Sequence, residues 1–117
     1  MTRQLAEARG RRAERIAAWY LRAKGWRIVG TRVKTPVGEV DIIARRFRTT
    51  AFVEVKTRGT AADLAHAVDR HRLRRVAAAA SALAARHAFP GGDIRIDVIL
   101  VAPGRMPKHL SNVWDGQ

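Results

Sequence analysis

Two segments of the chain repeat apolar residues at helical spacing. In residues 3–24 the apolar positions at this spacing are Leu5, Ile16, Tyr20 and Ala23. Gly25 follows this segment and is a typical residue for the end of a helix. Residues 62–88 are rich in alanine, and their apolar face comprises Leu64, Val68, Val76, Ala80 and Leu83. The pattern predicts one long helix in each segment.

The other apolar segments have the short, β-branched character of strands. "WRIVGTRVKT" and "EVDIIAR" flank the turn "PVG" and are expected to form a hairpin, and "AFVEVKTR" follows after the short connection "RFRTT". "IRIDVILVA" is almost continuously apolar, and the tail "PGRMPKHLSNVW" is a candidate for a short closing element. The order α-β-β-β-α-β predicts an α/β fold with a mixed central sheet flanked by helices. At 117 residues, positions 1–117 are expected to form a single domain.

Composition adds a strongly basic surface to this picture. The formal net charge is +13, so nucleic acid is the expected partner. The alternative is that the positive charge reflects a GC-rich genome. Such a genome alone can produce the observed bias, in which arginine outnumbers lysine 19 to 4 and alanine occurs 21 times. There is no cysteine, which excludes disulfides and thiolate metal sites. Since the sequence shows neither a secretory signal nor a membrane-length apolar run, we expect a cytoplasmic protein without a membrane partner.

Acidic residues are scarce, yet several stand inside the predicted strands. Glu54 and Lys56 alternate with valines and therefore share one strand face. Glu39 and Asp41 repeat this arrangement on the preceding strand, where Val40 and Ile42 are expected on the opposite face. If the two strands are neighbours, three carboxylates and one amine converge.

Carboxylates that leave water must be neutralised, and a divalent metal ion together with Lys56 would do so. Hard oxygen ligands select Mg²⁺ or Mn²⁺. Each acid alone has an ordinary interpretation as part of a solvated strand face, with Glu54 and Lys56 forming a surface pair. Asp97, in "RIDVI", has the same strand-embedded character as Asp41, and its ordinary interpretation is a pair with Arg95 on the same strand face. The combination on adjacent strands favours a site.

The helices supply further candidates. Glu14 lies beside Ala17 on the first helix and either faces the site or stabilises the first helical turn. Arg72 falls within the apolar stripe of the second helix, where it is expected to extend to solvent at the edge and is also a candidate to reach an acid or a phosphate. The histidines, including His71 and His109, show no ligand spacing, and a surface role is expected for His71. Neither a phosphate-binding loop nor a serine hydrolase triad is indicated.

"GEVDIIA" followed by "FVEVKTR" resembles the YraN-type proteins, uncharacterised protein family 0102, whose members are expected to have the PD-(D/E)xK restriction-endonuclease-like fold. The resemblance extends to the opening helix "RGRRAERIAAWYLRAKGWRIV", the long helix "AVDRHRLRRVAAAASALAARH" and the strand "IRIDVILV". Two positions depart from the family pattern, Ala13 in place of glycine and Arg72 in place of lysine. An arginine keeps the charge but cannot transfer a proton.

The resemblance implies that Asp41 and Glu54 bind metal, Lys56 completes the catalytic motif, and Glu14 adds an acid from the opening helix. A ligand from the carbonyl of Val55 and a supporting role for Glu39 are further expectations. The residues expected to bind the nucleic-acid backbone are Arg58, Arg72, Arg74 and Arg75.

The expected function is a Mg²⁺- or Mn²⁺-dependent nuclease that hydrolyses DNA phosphodiester bonds, with branched DNA and a homodimer as a sub-hypothesis from fold analogy. The alternatives are a nucleic-acid-binding module without turnover and a structural domain that binds no metal.

Overall fold

The computed structural model describes residues 3–57, 70–88 and 90–114, with only the backbone described at positions 3, 5–7, 9 and 70. Its elements are α1 (Arg3–Ala23), β1 (Arg27–Thr35), β2 (Gly38–Arg46), β3 (Thr49–Thr57), α2 (Arg70–His87), β4 (Asp93–Val101) and β5 (Lys108–Leu110). The short strand β5 is the closing element for which the tail was a candidate. Positions 62–69 of the predicted second helix lie outside the described residues.

The five strands form one mixed sheet in the order β1-β2-β3-β4-β5. β1 pairs antiparallel with β2, β2 antiparallel with β3, and β4 antiparallel with β5. β3 and β4 run parallel, as the crossover through α2 requires. The predicted α/β class, the mixed sheet and the first hairpin are therefore confirmed.

Helix α1 ends at the glycine that the sequence indicated. Gly25 has φ of 90°, a conformation that is favourable only without a Cβ atom. Its N–H donates to the carbonyl of Arg22 (3.0 Å), and the N–H of Trp26 donates to the carbonyl of Leu21 (2.9 Å). These two bonds form a Schellman motif, which satisfies the last carbonyls of the helix and directs Trp26 into the core.

The sheet separates two apolar clusters. The cluster beneath α1 consists of Ala13, Ala17, Ala18, Leu21, Trp26, Ile42, Ala44, Ala51, Val53, Ile99 and Val101. The cluster beneath α2 consists of Val40, Ile43, Phe52, Leu73, Val76, Ala79, Ala80, Leu83, Ile96, Val98 and Leu100. The prediction that Val40 and Ile42 share a face is therefore wrong. The β2–β3 pairing ends at Ile42 and Val53, and the alternation of β2 breaks between Ile42 and Val40, where Arg32 of the paired strand β1 has a left-handed φ of 50°.

Gly38 sets how closely β2 approaches α2. A Cβ atom at this position would lie 2.6 Å from the carbonyl oxygen of Arg75, well inside van der Waals contact. A side chain here would push the helix away from the strand. The close approach brings the N-terminal half of α2 over the beginning of β2.

A buried ion cluster fastens the end of the described chain to β4. Arg95 donates two hydrogen bonds to the fully buried carboxylate of Asp97 (3.1 and 3.0 Å), which confirms the predicted pair. Nε2 of His109 lies 2.7 Å from the same carboxylate, and the N–H of Asn112 donates to it at 2.9 Å. Burial alone would raise the pKa of Asp97, but the bonds from His109 and Arg95 outweigh burial and hold that pKa below its ordinary value. The acid is therefore structural.

No helix in the described ranges is long and apolar enough to span a membrane.

Candidate active site

The candidate site begins where β2 and β3 separate. Beyond the last paired residues, Ile42 and Val53, an Asp41 side-chain oxygen takes the place of a strand carbonyl and accepts a hydrogen bond from the N–H of Val55 (2.8 Å). This bond holds the Asp41 carboxylate against β3. The two strands are therefore neighbours, as predicted, and their acids lie at the end of the β2–β3 hairpin that is remote from its turn.

Glu54 lies on β3 with its side chain almost removed from solvent. It is 3% exposed, and Lys56, two residues further on the same face, is 7% exposed. The Lys56 Nζ is 3.7 Å from Glu54 Oε1. The surface-pair interpretation of these two residues is therefore wrong, because both are buried. Burying such a pair costs solvation free energy that a surface pair does not lose.

Arg72 reaches Glu54 from α2. Its Nε forms an ion pair with Glu54 Oε1, although the Arg72 side chain remains 59% exposed. The arginine therefore both extends to solvent and contacts an acid, as the sequence suggested. The other oxygen, Glu54 Oε2, is buried and has no hydrogen-bond partner among the described residues. A buried carboxylate oxygen without a partner is costly, and a bound cation would offset that cost.

These residues enclose a cavity of about 380 Å³ with two walls of opposite charge. The sheet contributes the carboxylates, and α2 contributes cationic groups above them. The lining residues are Glu39, Asp41, Glu54, His71, Arg72, Arg75 and Val76. A cavity with facing anionic and cationic walls can bind a cation and an anion side by side, as a metal ion and a phosphate would require.

The Asp41 carboxylate is the most perturbed titratable group of the cavity. Burial raises its pKa from 3.8 to about 6, the Val55 N–H opposes this rise, and the carboxylates of Glu14 and Glu54 add to it. The Arg72 guanidinium lowers the pKa again. The environment of Asp41 therefore makes its charged form less favourable than in water, and a neighbouring cation would stabilise that form.

Glu14 approaches the site from α1 without lining the cavity. Its Oε1 accepts a hydrogen bond from Arg32 Nε on β1 (2.7 Å). This bond, together with the charges of Glu14, Glu39 and Asp41, raises the pKa of Arg32 above its ordinary value. Because Glu14 also raises the pKa of Asp41, it lies near the acids, with Arg32 as its direct partner.

The donor set suits a hard divalent ion. Within the described ranges, no three His, Cys, Asp or Glu side chains are arranged as a complete metal site. Mg²⁺, however, keeps several waters and is commonly held by only one or two carboxylates. Asp41 and Glu54, with the unpartnered Oε2 atom, meet that requirement. The Val55 N–H faces Asp41, and a ligand role for the Val55 carbonyl stays a prediction.

The basic residues predicted to bind nucleic acid separate into different positions. Arg72 and Arg75 line the cavity, whereas Arg74 is exposed on α2 and is not among the lining residues. Arg58 lies outside the described residues. His71, for which a surface role was expected, is exposed and lines the cavity as well. The sequence feature that could have indicated this position at the cavity is that His71 directly precedes Arg72 in the basic cluster.

The chain is closely similar to a set of bacterial proteins. The family model described as "Uncharacterised protein family UPF0102" matches residues 13–101. The UPF0102 protein of Sphingopyxis alaskensis is 68% identical over 114 residues, covering 97% of this chain and 98% of the relative. The UPF0102 protein of Rhizorhabdus wittichii is 66% identical over 115 residues, covering 98% of each chain. That of Caulobacter vibrioides is 50% identical over 111 residues, covering 92% of this chain and 86% of the relative. The chain belongs to the uncharacterised protein family UPF0102.

Proposed function

We propose that this protein is a metal-dependent nuclease of the restriction-endonuclease-like class that hydrolyses phosphodiester bonds in DNA. The observation that carries the proposal is the buried Glu54 carboxylate, which has one unpartnered oxygen and shares a cavity with Asp41. An unsatisfied buried oxygen destabilises the fold, and a bound metal ion would remove that cost. The high positive charge of the chain supports a polyanionic substrate.

The acids of the sheet would hold the metal ion. Asp41 and Glu54 are the direct candidates, and Glu14 and Glu39 add negative charge nearby. When bound, Mg²⁺ or Mn²⁺ polarises the scissile phosphate and makes water more acidic. The raised pKa of Asp41 is compatible with this role, because a bound cation would stabilise the charged carboxylate.

Lys56 and the cationic lining residues of α2 act on the substrate. Lys56 lies beside Glu54, where its ammonium orients the attacking water and stabilises negative charge on the phosphorus oxygens. On the opposite wall, Arg72 and Arg75 bind phosphate oxygens through charge-assisted hydrogen bonds. His71 adds a further donor at the mouth of this wall. Catalysis thus consists of positioning and charge stabilisation.

The test is cleavage of labelled linear duplex, single-stranded and four-way-junction DNA with Mg²⁺, Mn²⁺ or a chelator. We expect metal-dependent cutting that Glu54→Gln and Lys56→Ala each reduce by at least a hundredfold. The matched control is Asp93→Asn, which removes one exposed carboxylate from the start of β4 and should cut like the wild type. Preferential cutting of the junction would support the branched-DNA sub-hypothesis. Tight binding without cutting on every substrate would exclude the nuclease.

A nucleic-acid-binding module without turnover is the second candidate. The Glu54–Arg72 ion pair favours it, because the guanidinium already neutralises the carboxylate without a metal ion. This candidate predicts DNA binding that is unaffected by a chelator and by Glu54→Gln. Calorimetric titration with Mn²⁺ separates the two, since a pure binding module should show no heat that depends on Asp41 and Glu54.

A further inference from the structure

We propose that a second groove, between α1 and the β4–β5 connection, binds an unpaired base of a single-stranded DNA segment. The groove has a volume of about 570 Å³ and lies apart from the acidic cavity. Its lining is largely apolar and includes Ile16, Pro103 and Met106. The size and the apolar lining are those of a ligand site. The DNA class of the ligand rests on the proposed function.

Large apolar side chains remain exposed along this groove. Met106 is 79% exposed and Ile16 is 37% exposed at its edge. Trp19 follows Ile16 by one helical turn and is 72% exposed. Residues three apart on a helix are surface neighbours, so the indole extends the apolar surface of the groove along α1. An exposed tryptophan beside an apolar groove is a stacking platform for a base.

The charge around the groove selects an anionic occupant. Arg12 and Arg105 line it from opposite sides, and Arg15 is exposed on the same helix. In a symmetric contact between two copies, each basic patch would face its own duplicate, and like charges would repel. A nucleic-acid strand places bases against the apolar surface and phosphates against the arginines. Charge complementarity therefore favours the strand over a second copy.

The groove and the acidic cavity are separate but lie toward the same end of β3. Thr57 lines the groove, and its neighbour Lys56 lies beside Glu54 at the acidic cavity. The groove is on the α1 face of the sheet, and the cavity is on the α2 face. A single strand whose phosphate enters the acidic cavity and whose neighbouring base occupies the groove would contact both faces of the sheet. The substrate would thus have an unpaired segment next to the cleaved bond.

The experiment measures binding of the full chain to a fluorescein-labelled oligothymidine in a chelator, and to a strand of equal length with abasic residues. We expect Trp19→Ala to weaken oligothymidine binding about fivefold to a hundredfold. The matched control is Phe47→Ala, which removes an aromatic ring that is 90% exposed in the β2–β3 turn, at the opposite end of the sheet. This control should bind like the wild type. Arg12→Gln and Arg105→Gln should each reduce the salt dependence, by up to about 0.7 in the logarithmic slope.

The abasic strand isolates the stacking contact. Wild-type protein should bind it more weakly than oligothymidine, whereas Trp19→Ala should no longer distinguish the two strands. Equal losses for Trp19→Ala and Phe47→Ala would overturn the proposal, as would equal wild-type affinity for both strands. A dimer that sedimentation detects in the wild type and that Trp19→Ala abolishes would also overturn it, because the groove would then be an interface between copies.

The chelator keeps this result separate from the nuclease proposal. If the effect of Trp19→Ala depends on the bases but the protein never cuts DNA, the groove proposal stands and the nuclease proposal is wrong. If the protein cuts DNA with metal but Trp19→Ala leaves its DNA affinity unchanged, the nuclease proposal stands and the groove proposal is wrong. Met106→Ser provides a second variant at an exposed position, with the same expected direction as Trp19→Ala.

Discussion

The Asp41 carboxylate accepts a hydrogen bond from the N–H of Val55 at the point where β2 and β3 stop pairing. One residue before Val55, Glu54 carries the buried carboxylate of the site. The bond therefore joins the two strands through a side chain and holds the two acids on one cavity wall. This relationship makes the separation of the strands a part of the site.

Asp41→Asn should stabilise the protein in the absence of metal at pH 8. The folded-state pKa of about 6 lies above the ordinary value of 3.8, so the folded protein binds more protons between these values and loses stability as pH rises through that window. Asparagine does not ionise, and the gain should be at most about 3 kcal/mol in urea unfolding with a chelator. With excess Mg²⁺ the wild type should become more stable than the variant, because the ion should stabilise only the protein that has the Asp41 carboxylate. A variant that is less stable at both pH 4 and pH 8 would contradict this assignment.

Asp97→Asn should destabilise the protein, because Arg95 and His109 would lose a buried anionic partner. The expected cost is about 3–5 kcal/mol in chemical unfolding at pH 7. The pKa of Asp97 is lowered in the fold, so its contribution is present above the ordinary value of 3.8 and is lost as pH falls through the folded value. As pH falls, the thermal stability of the variant should therefore decrease less than that of the wild type. The same substitution at exposed Asp93, on the same strand, should cost less than about 0.5 kcal/mol.

Arg72→Gln should strengthen Mn²⁺ binding. The guanidinium pairs with Glu54 and competes with any cation for that carboxylate. Losing a hydrogen bond to a charged group of about 1.5–3 kcal/mol corresponds to roughly tenfold or more in affinity. Isothermal titration calorimetry measures the change, and Arg74→Gln, an exposed position two residues on, serves as the control. Equal Mn²⁺ affinity for Arg72→Gln and Arg74→Gln would mean that Arg72 does not guard the site.

Gly38→Ala should destabilise the fold and disturb the acidic cavity. The new methyl would meet the Arg75 carbonyl at 2.6 Å, and α2 would have to move. We expect a loss of about 1–3 kcal/mol, the usual cost of overpacking. Gly10→Ala is the matched control, because α1 leaves open space there. It should instead stabilise by roughly 0.5–1 kcal/mol, since alanine is the better helix former. A neutral Gly38→Ala would show that the strand and the helix separate easily.

Local patterns in the sequence were sufficient for the elements and for half of the site. Alternation in "AFVEVKTR" placed Glu54 and Lys56 on one face, and glycine at position 25 ended α1 where expected. The neighbourhood of Asp41 and Glu54 followed from a short hairpin connection. Such inferences succeed because they involve residues close in sequence, for which strand and helix geometry leave few alternatives.

The sequence by itself determined the strands, the helices and the acids that face one cavity, because backbone periodicity controls these features. Only the tertiary structure decided which distant side chain each acid meets: Arg72 for Glu54, Arg32 for Glu14, and His109 for Asp97. It also turned Val40 toward α2, buried the Glu54–Lys56 pair and formed the groove lined by Ile16 and Met106. These contacts depend on how helices and strands far apart in sequence pack together. Local periodicity carries no information about that packing, which is set by close approaches such as Gly38 on Arg75.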